Sequence, residues 1–245
     1  LPVPEWTGSL VFVLLVIGFP AVLTFSWIYE LTPEGIKREK EVDRTQSITG
    51  ETGRKINVLI IVMLALAFLV SMANDGVFVI YGAWLEKNFH LSVTQLGLGS
   101  SVIGIAELCG EFMTVGLADR MGKPRALLTG IGLSMIAYIA LPWTAISLPF
   151  ALTGLFALFI AVEFTFVTAL SMATEILPDQ RATMMSGMLA VAGMGRMAGA
   201  ITGGFLWVWH GATAVALLSA FLCVLAALAL ATGLRRTPDH RRQPD

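Results

Sequence analysis

The chain has 245 residues, 56% of them hydrophobic and only 13% charged, with a mean hydropathy of +0.78. A soluble domain carries about 25% charged residues, so this deficit and the repeated apolar runs of about 20 residues place the chain in a lipid bilayer. A formal net charge of −1 offers no basic surface for nucleic acid, and Cys109 and Cys223, both inside apolar runs, imply neither a disulfide nor a metal site.

Leu1-Pro2-Val3-Pro4 shows no initiator Met and no basic stretch before an apolar core, so it is not read as a signal peptide. The sequence is expected to begin partway through a longer polypeptide. Seven spans are predicted: A (6–29), B (57–84), C (93–118), D (126–141), E (149–174), F (183–209) and G (212–234). Residues 30–56 between A and B are polar and charge-rich without a sustained apolar period, which predicts a linker. The remaining connections are short, so B to G are predicted to form one all-α, six-helix bundle over 57–235, followed by a tail at 236–245.

Basic residues set the orientation. The linker (Lys37, Arg38, Lys40, Arg44, Arg54, Lys55), the C–D loop (Arg120, Lys123, Arg125), Arg181 and the tail (Arg235, Arg236, Arg241, Arg242) put fourteen of the 16 on one side. Lys87 alone falls on the other, and Arg196 lies inside span F. The linker, the C–D loop and the C-terminus are therefore predicted to be cytoplasmic. Trp84, Trp143, Trp207 and Trp209 near outer ends, with Trp6 at the start of A and Trp27 near an inner end, are predicted to anchor at the membrane interfaces.

Spans B-C-D and E-F-G repeat one polarity. The first span of each triplet carries an acid (Asp75, Glu163), the second is glycine-rich and charged (Glu107 and Glu111; Arg196), and the third is uncharged. Three spans followed by three must cross in opposite senses, which describes two inverted repeats. D and G are then expected to face lipid, with B, C, E and F lining a polar interior.

Ionised side chains at membrane depth are rare unless paired or used. Ser100, Gly104, Glu107 and Glu111 share one face of C by their i, i+4, i+7, i+11 spacing, and Asn74, Asp75, Phe78 and Tyr81 form a polar and aromatic stripe on B. Glu163 shares a face of E with Ser171 and Thr174. A rise of about 1.5 Å per residue puts Glu107, Glu163 and Arg196 near one plane, Asp75 nearer the outer face and Glu111 nearer the inner. Two readings stand side by side. In one, Glu107 or Glu163 takes up and releases a proton while Arg196 tunes its affinity. In the other, Arg196 forms a static pair with Glu107 or Glu111. Asn74, Asp75, Phe78 and Tyr81 are candidate substrate contacts. Gly195, Gly199 and Gly203 repeat every four residues, a small-residue seam that predicts close helix packing.

The C–D loop, Val115-Gly-Leu-Ala-Asp119-Arg120-Met-Gly122-Lys123-Pro124-Arg125, resembles the G-x-L-A-D-R-x-G-R-[KR] signature of the major facilitator superfamily. Val115 stands at the leading glycine position and Pro124 at a basic one. Glu175-Ile-Leu-Pro178-Asp-Gln-Arg181-Ala-Thr-Met-Met-Ser186 is similar to the P-x-x-R-[AG]-T-x-x-S loop between that family's tenth and eleventh helices. The resemblance implies that 57–235 is the C-terminal six-helix half, 1–29 the sixth helix, 30–56 the central linker, and that five earlier helices lie outside this sequence. It implies alternating-access transport of a small solute, with proton-coupled export of a drug, sugar or metabolite as the leading expectation. Asp119, Arg120, Gly122, Lys123 and Arg125 would form a conformational gate, Asp119 finding its partner in Arg120, Arg125 or the other half. Expected partners are the lipid bilayer, a small-molecule substrate, protons and the N-terminal half of the same polypeptide, in a bacterial or archaeal cytoplasmic membrane. No cofactor, metal or nucleic acid is expected.

An intramembrane enzyme is the alternative, but no Ser–His pair at membrane depth and no two-His metal motif is present. A seven-helix receptor of the retinal kind would need a lysine in its last span, and 212–234 has none.

Overall fold

The computed structural model describes residues 29–32, 35–38 and 50–235. The chain divides into two units, residues 1–50 and 51–245. In the first, β1 (Tyr29–Thr32) pairs antiparallel with β2 (Gly35–Arg38), Tyr29 opposite Arg38 and Thr32 opposite Gly35. Tyr29, the last residue of the predicted span A, therefore opens a strand, and residues 30–32 and 35–38 of the predicted linker are strand residues. The rest of span A and the tail at 236–245 lie outside the described residues.

From Gly50 onward the described residues form helices and tight turns. The order is α1 (Gly50–Phe78), α2 (Tyr81–Phe89), α3 (Val93–Met113), a π-helical turn (Thr114–Ala118), α4 (Asp119–Met121) and α5 (Lys123–Ala140). A 3-10 turn (Leu141–Thr144), α6 (Leu148–Ile176), a second 3-10 turn (Pro178–Gln180) and the helical stretch Arg181–Arg235 follow. Gly211, at φ 75° and ψ −174°, breaks that last stretch into α7 (181–210) and α8 (212–235).

Local chemistry accounts for these boundaries. His90 ends α2 in the left-handed region, its N–H donating to the Glu86 carbonyl at 2.8 Å. Ser92 then caps α3 in a reciprocal box with Gln95, which fixes the start at Val93. Gly122 takes φ 80°, a conformation glycine adopts without cost, and Pro124 sits in the first turn of α5. The signature is thus helical through Met121 and reverses at one residue. Asp119, expected just past a helix end, lies within the helical run because the chain does not leave it until Gly122. Span B is also divided, with a turn at Val79 and Ile80 separating α1 from α2.

Five helices among the described residues are long and apolar enough to cross a membrane. The last, at 54 residues, far exceeds the about 20 needed for one crossing, and each side of Gly211 suffices alone. The two sides lie next to each other. Gly199 before the break and Ser219 after it both come within 3.7 Å of a Cβ built on Gly76 of α1. In one straight helix those residues would be about 30 Å apart.

The tightest packing joins α1 and α7. A Cβ at Gly195, Gly199 or Gly203 would run into the backbone carbonyl oxygen of Phe68, Met72 or Gly76 respectively. The contacts advance together along both helices, so α1 and α7 run parallel. Ser219 of α8 adds a hydrogen bond to the Ala73 carbonyl at 2.8 Å. The buried face of α6 includes Leu155, Leu158, Phe159, Thr165 and Ala169. It approaches α3 at Gly110 and α5 at Gly130, where a Cβ would collide with Glu163 and Thr165 respectively. Glu163 stands at the edge of the buried face of α6, toward α3. Trp84, expected at the interface, is 4% exposed and packed in the core, whereas Trp143 and Trp209 are 66% and 69% exposed.

Gly199→Leu is expected to lower the thermal midpoint of the purified protein in detergent, at about 1–3 kcal/mol for forced overpacking. Gly204→Ala on the same helix, where an added Cβ meets nothing within 4 Å, should leave the midpoint unchanged or raise it. Equal midpoints for Gly199→Leu and the unmodified protein would refute the tight α1–α7 contact.

Candidate functional site

Five charged residues converge from four helices. Glu163 of α6 seats its Cβ against Gly110, with 2.8 Å separating it from a Cβ placed there. Gly110 lies between Glu107 and Glu111 on α3, so the three carboxylates gather at one level of the α3–α6 contact. Glu107 and Glu163 are half-buried and Glu111 is exposed. Arg196 of α7 and Asp75 of α1 complete the group, each within electrostatic reach of Glu107. Glu163 in turn feels the charges of Glu107, Glu111 and Arg196.

Arg196 pairs with Asp75, Nε to Oδ2 at 3.8 Å. Of the two readings of the sequence, the static one named Glu107 or Glu111 as the partner of Arg196, whereas the contact formed is with Asp75, which bridges the depth separation expected between them. The glycine seam is the physical reason, because it holds α7 against α1, whereas Glu107 and Glu111 belong to α3. At 3.8 Å the contact is looser than a charge-assisted hydrogen bond, which closes to about 2.7–2.9 Å. The Arg196 side chain is 58% exposed and that of Asp75 20%, so the pair lies open on the arginine side.

The polar and aromatic stripe is held by α1 and α2 together. Phe78 lies 5.5 Å from the Tyr81 ring and 5.9 Å from that of Phe159 on α6, centroid to centroid. The Tyr81 hydroxyl shares a hydrogen bond with Ser100 Oγ at 2.8 Å, which links α2 to α3. Asn74 Oδ1 is buried and has no hydrogen-bond partner. Near the other end of these helices, Lys87 stands 5.3 Å over the Trp207 ring.

The two signature-like loops meet at Lys123. Its Nζ donates to Ser171 Oγ at 2.8 Å, bonds Glu175, and lies 3.8 Å from Asp119. Lys123 is 15% exposed, Glu175 60% and Asp119 77%. Asp119 thus lies within ion-pair distance of Lys123, four residues on across the Gly122 reversal, where Arg120, Arg125 or the other half of the polypeptide was expected. Arg120, Arg125, Pro178 and Arg181 are exposed, and Gly122 supplies the reversal that points Lys123 back at α6.

Two residues went unnoticed in the sequence, and a third was noticed without its partner. Gly110 is the seat for Glu163, and its position between two acids was the available signal. Phe159 is one of several phenylalanines in α6, with nothing to single it out. Ser171 was placed on a face of span E, without Lys123 as its partner.

Apolar helices of crossing length, packed backbone to backbone around a small charged cluster, define an integral multi-pass membrane protein. A profile described as Major Facilitator Superfamily matches residues 63–245, and the chain belongs to that superfamily of membrane transporters. A relative from Bacillus subtilis (strain 168), described as "Uncharacterized MFS-type transporter YceJ", is 28% identical over 146 residues. The match covers 60% of this chain and 37% of that protein, so the chain corresponds to well under half of its relative's length.

Lys123→Met and Glu175→Gln are expected to be coupled in a double-mutant thermal cycle by about 0.5–1 kcal/mol, the scale of a partly exposed pair. The exchanged pair Lys123→Glu with Glu175→Lys should recover stability lost in either single change. Strict additivity would remove the link between the loops.

Proposed function

We propose that residues 57–235 form the C-terminal half of a secondary transporter that moves a small solute by alternating access, with proton-coupled export as its direction. In this reading 1–29 is the last helix of the N-terminal half, 30–56 the central cytoplasmic linker and 236–245 a cytoplasmic tail. The protein sits in a bacterial or archaeal cytoplasmic membrane, and its partners are lipid, the solute, protons and the N-terminal half of the same polypeptide. The observation that carries the coupling is the seating of Glu163 on Gly110, between Glu107 and Glu111 and within reach of Arg196.

Three carboxylates gathered between apolar helices repel one another when ionised, and holding a charge away from water is costly. Taking up a proton relieves both penalties, and releasing it restores them. Closing the cavity to one side therefore favours the protonated form, and opening it to water favours release. Arg196 opposes protonation when it swings toward Glu107 and permits it when drawn to Asp75. The loose 3.8 Å contact with Asp75 supports such movement. The smooth glycine seam supports rocking of α7 along α1, and the Lys123–Glu175 link supports joint movement of the ends of α5 and α6.

Flux through the full-length protein in liposomes is expected to respond to an imposed pH gradient, and the double variant Glu107→Gln with Glu163→Gln should reduce that response at least about tenfold. An undiminished response would end the proton-coupling reading. A cysteine at Arg120 is expected to react with a membrane-impermeant maleimide only from the cytoplasmic face. Labelling from outside intact cells would invert the proposed orientation.

A further inference from the structure

We propose that the solute is an organic cation, a protonated or quaternary amine with apolar substituents, held between Asp75 and the exposed side of the Phe78 ring. The proposal rests on the transport reading above and adds the chemical class of the substrate.

Its starting point is the aromatic corner where α1 gives way to α2. Phe159, 1% exposed, meets the Phe78 ring nearly edge-on, at an interplanar angle of 76°. Tyr81 flanks Phe78 at an angle of 50°, fixed by its bond to Ser100. Phe78 is itself 42% exposed, so a ring steadied on two sides keeps a surface free. The face of an aromatic ring carries negative potential and attracts a poorly hydrated cation.

Asp75 lies one helical turn before Phe78 and so on the same side of α1. Its contact with Arg196 is long enough that the carboxylate keeps capacity for a second positive group. Asn74 Oδ1, adjacent in sequence, is a buried acceptor with no donor, a role that the N–H of a protonated amine, though not a quaternary one, can fill. The charge balance points the same way. Asp75, Glu107, Glu111 and Glu163 stand against Arg196 alone among the residues gathered there, so an anion would enter among like charges. A neutral sugar needs several uncommitted hydrogen-bonding groups, yet the Ser100 and Ser219 hydroxyls are already bonded to Tyr81 and Ala73.

Equilibrium binding of radiolabelled tetraphenylphosphonium to the purified full-length protein tests the site. Saturable binding is expected, weakened at least about tenfold by Asp75→Asn and about threefold by Phe78→Leu, and retained in Asp75→Glu and Phe78→Trp. Glucose and benzoate should not displace the probe. Equal binding by the unmodified protein, Asp75→Asn and Phe78→Leu would overturn the proposal, as would displacement by benzoate or glucose. Because Phe78→Leu leaves every charge in place, loss of binding there is not a folding effect of removing Asp75. Flux of the three probes in proteoliposomes separates the two readings. Transport of glucose or benzoate without the cation overturns the substrate class and leaves transport standing. Site-dependent cation binding with no flux of any probe upholds the site and overturns the transport reading.

Discussion

The contact on which the arrangement depends has no side chains in it. Where Gly195, Gly199 and Gly203 meet Phe68, Met72 and Gly76, two parallel helices touch backbone to backbone, and a methyl group at any of the three would push them apart. In lipid there is little hydrophobic drive between helices, so close van der Waals contact has to hold them. The seam does this, and it also sets which charged residues meet. Arg196 stands between two of its glycines, so its reach is fixed by the line along which α7 lies on α1. The pairing with Asp75 follows from that line.

The charged group shows the same dependence on backbone approach. Glu163 reaches the level of Glu107 and Glu111 because Gly110 leaves room for it, while Gly130 lets α5 close on the opposite side of α6. Two of the acids come from α3 and one each from α6 and α1, and the guanidinium is committed loosely to the α1 acid, Asp75.

Much of this architecture could be read from the chain. Lipid demands apolar runs of a set length, so spans B to G emerged with their order and most of their ends, although the Ser92–Gln95 cap that fixes the start of α3 was not singled out. Faces along one helix were also legible, as with Ser100 to Glu111 or the glycine repeat of α7. What could not be read was which face meets which. Spacing places Arg196 on α7 but says nothing of whether α1 or α3 lies beside it, and the pairing with Asp75 depends on contacts between residues more than a hundred positions apart. Trp84 went astray for a related reason: position near a span end suggested an anchor, while its side chain packs with Leu85 into the core. Asp119 was misplaced because helical hydrogen bonding continues through charged residues until a glycine releases it.

The single residue that separates α7 from α8 has a mechanical corollary. With Gly211 as the whole connection, the two helices have almost no slack where they join, so spreading can occur only at their far ends. The joint is then a fulcrum and α7 a lever about 45 Å long, at about 1.5 Å per residue. A tilt of about 10° would carry its free end roughly 8 Å, the width of a small solute, while the tip beside Gly211 hardly moved.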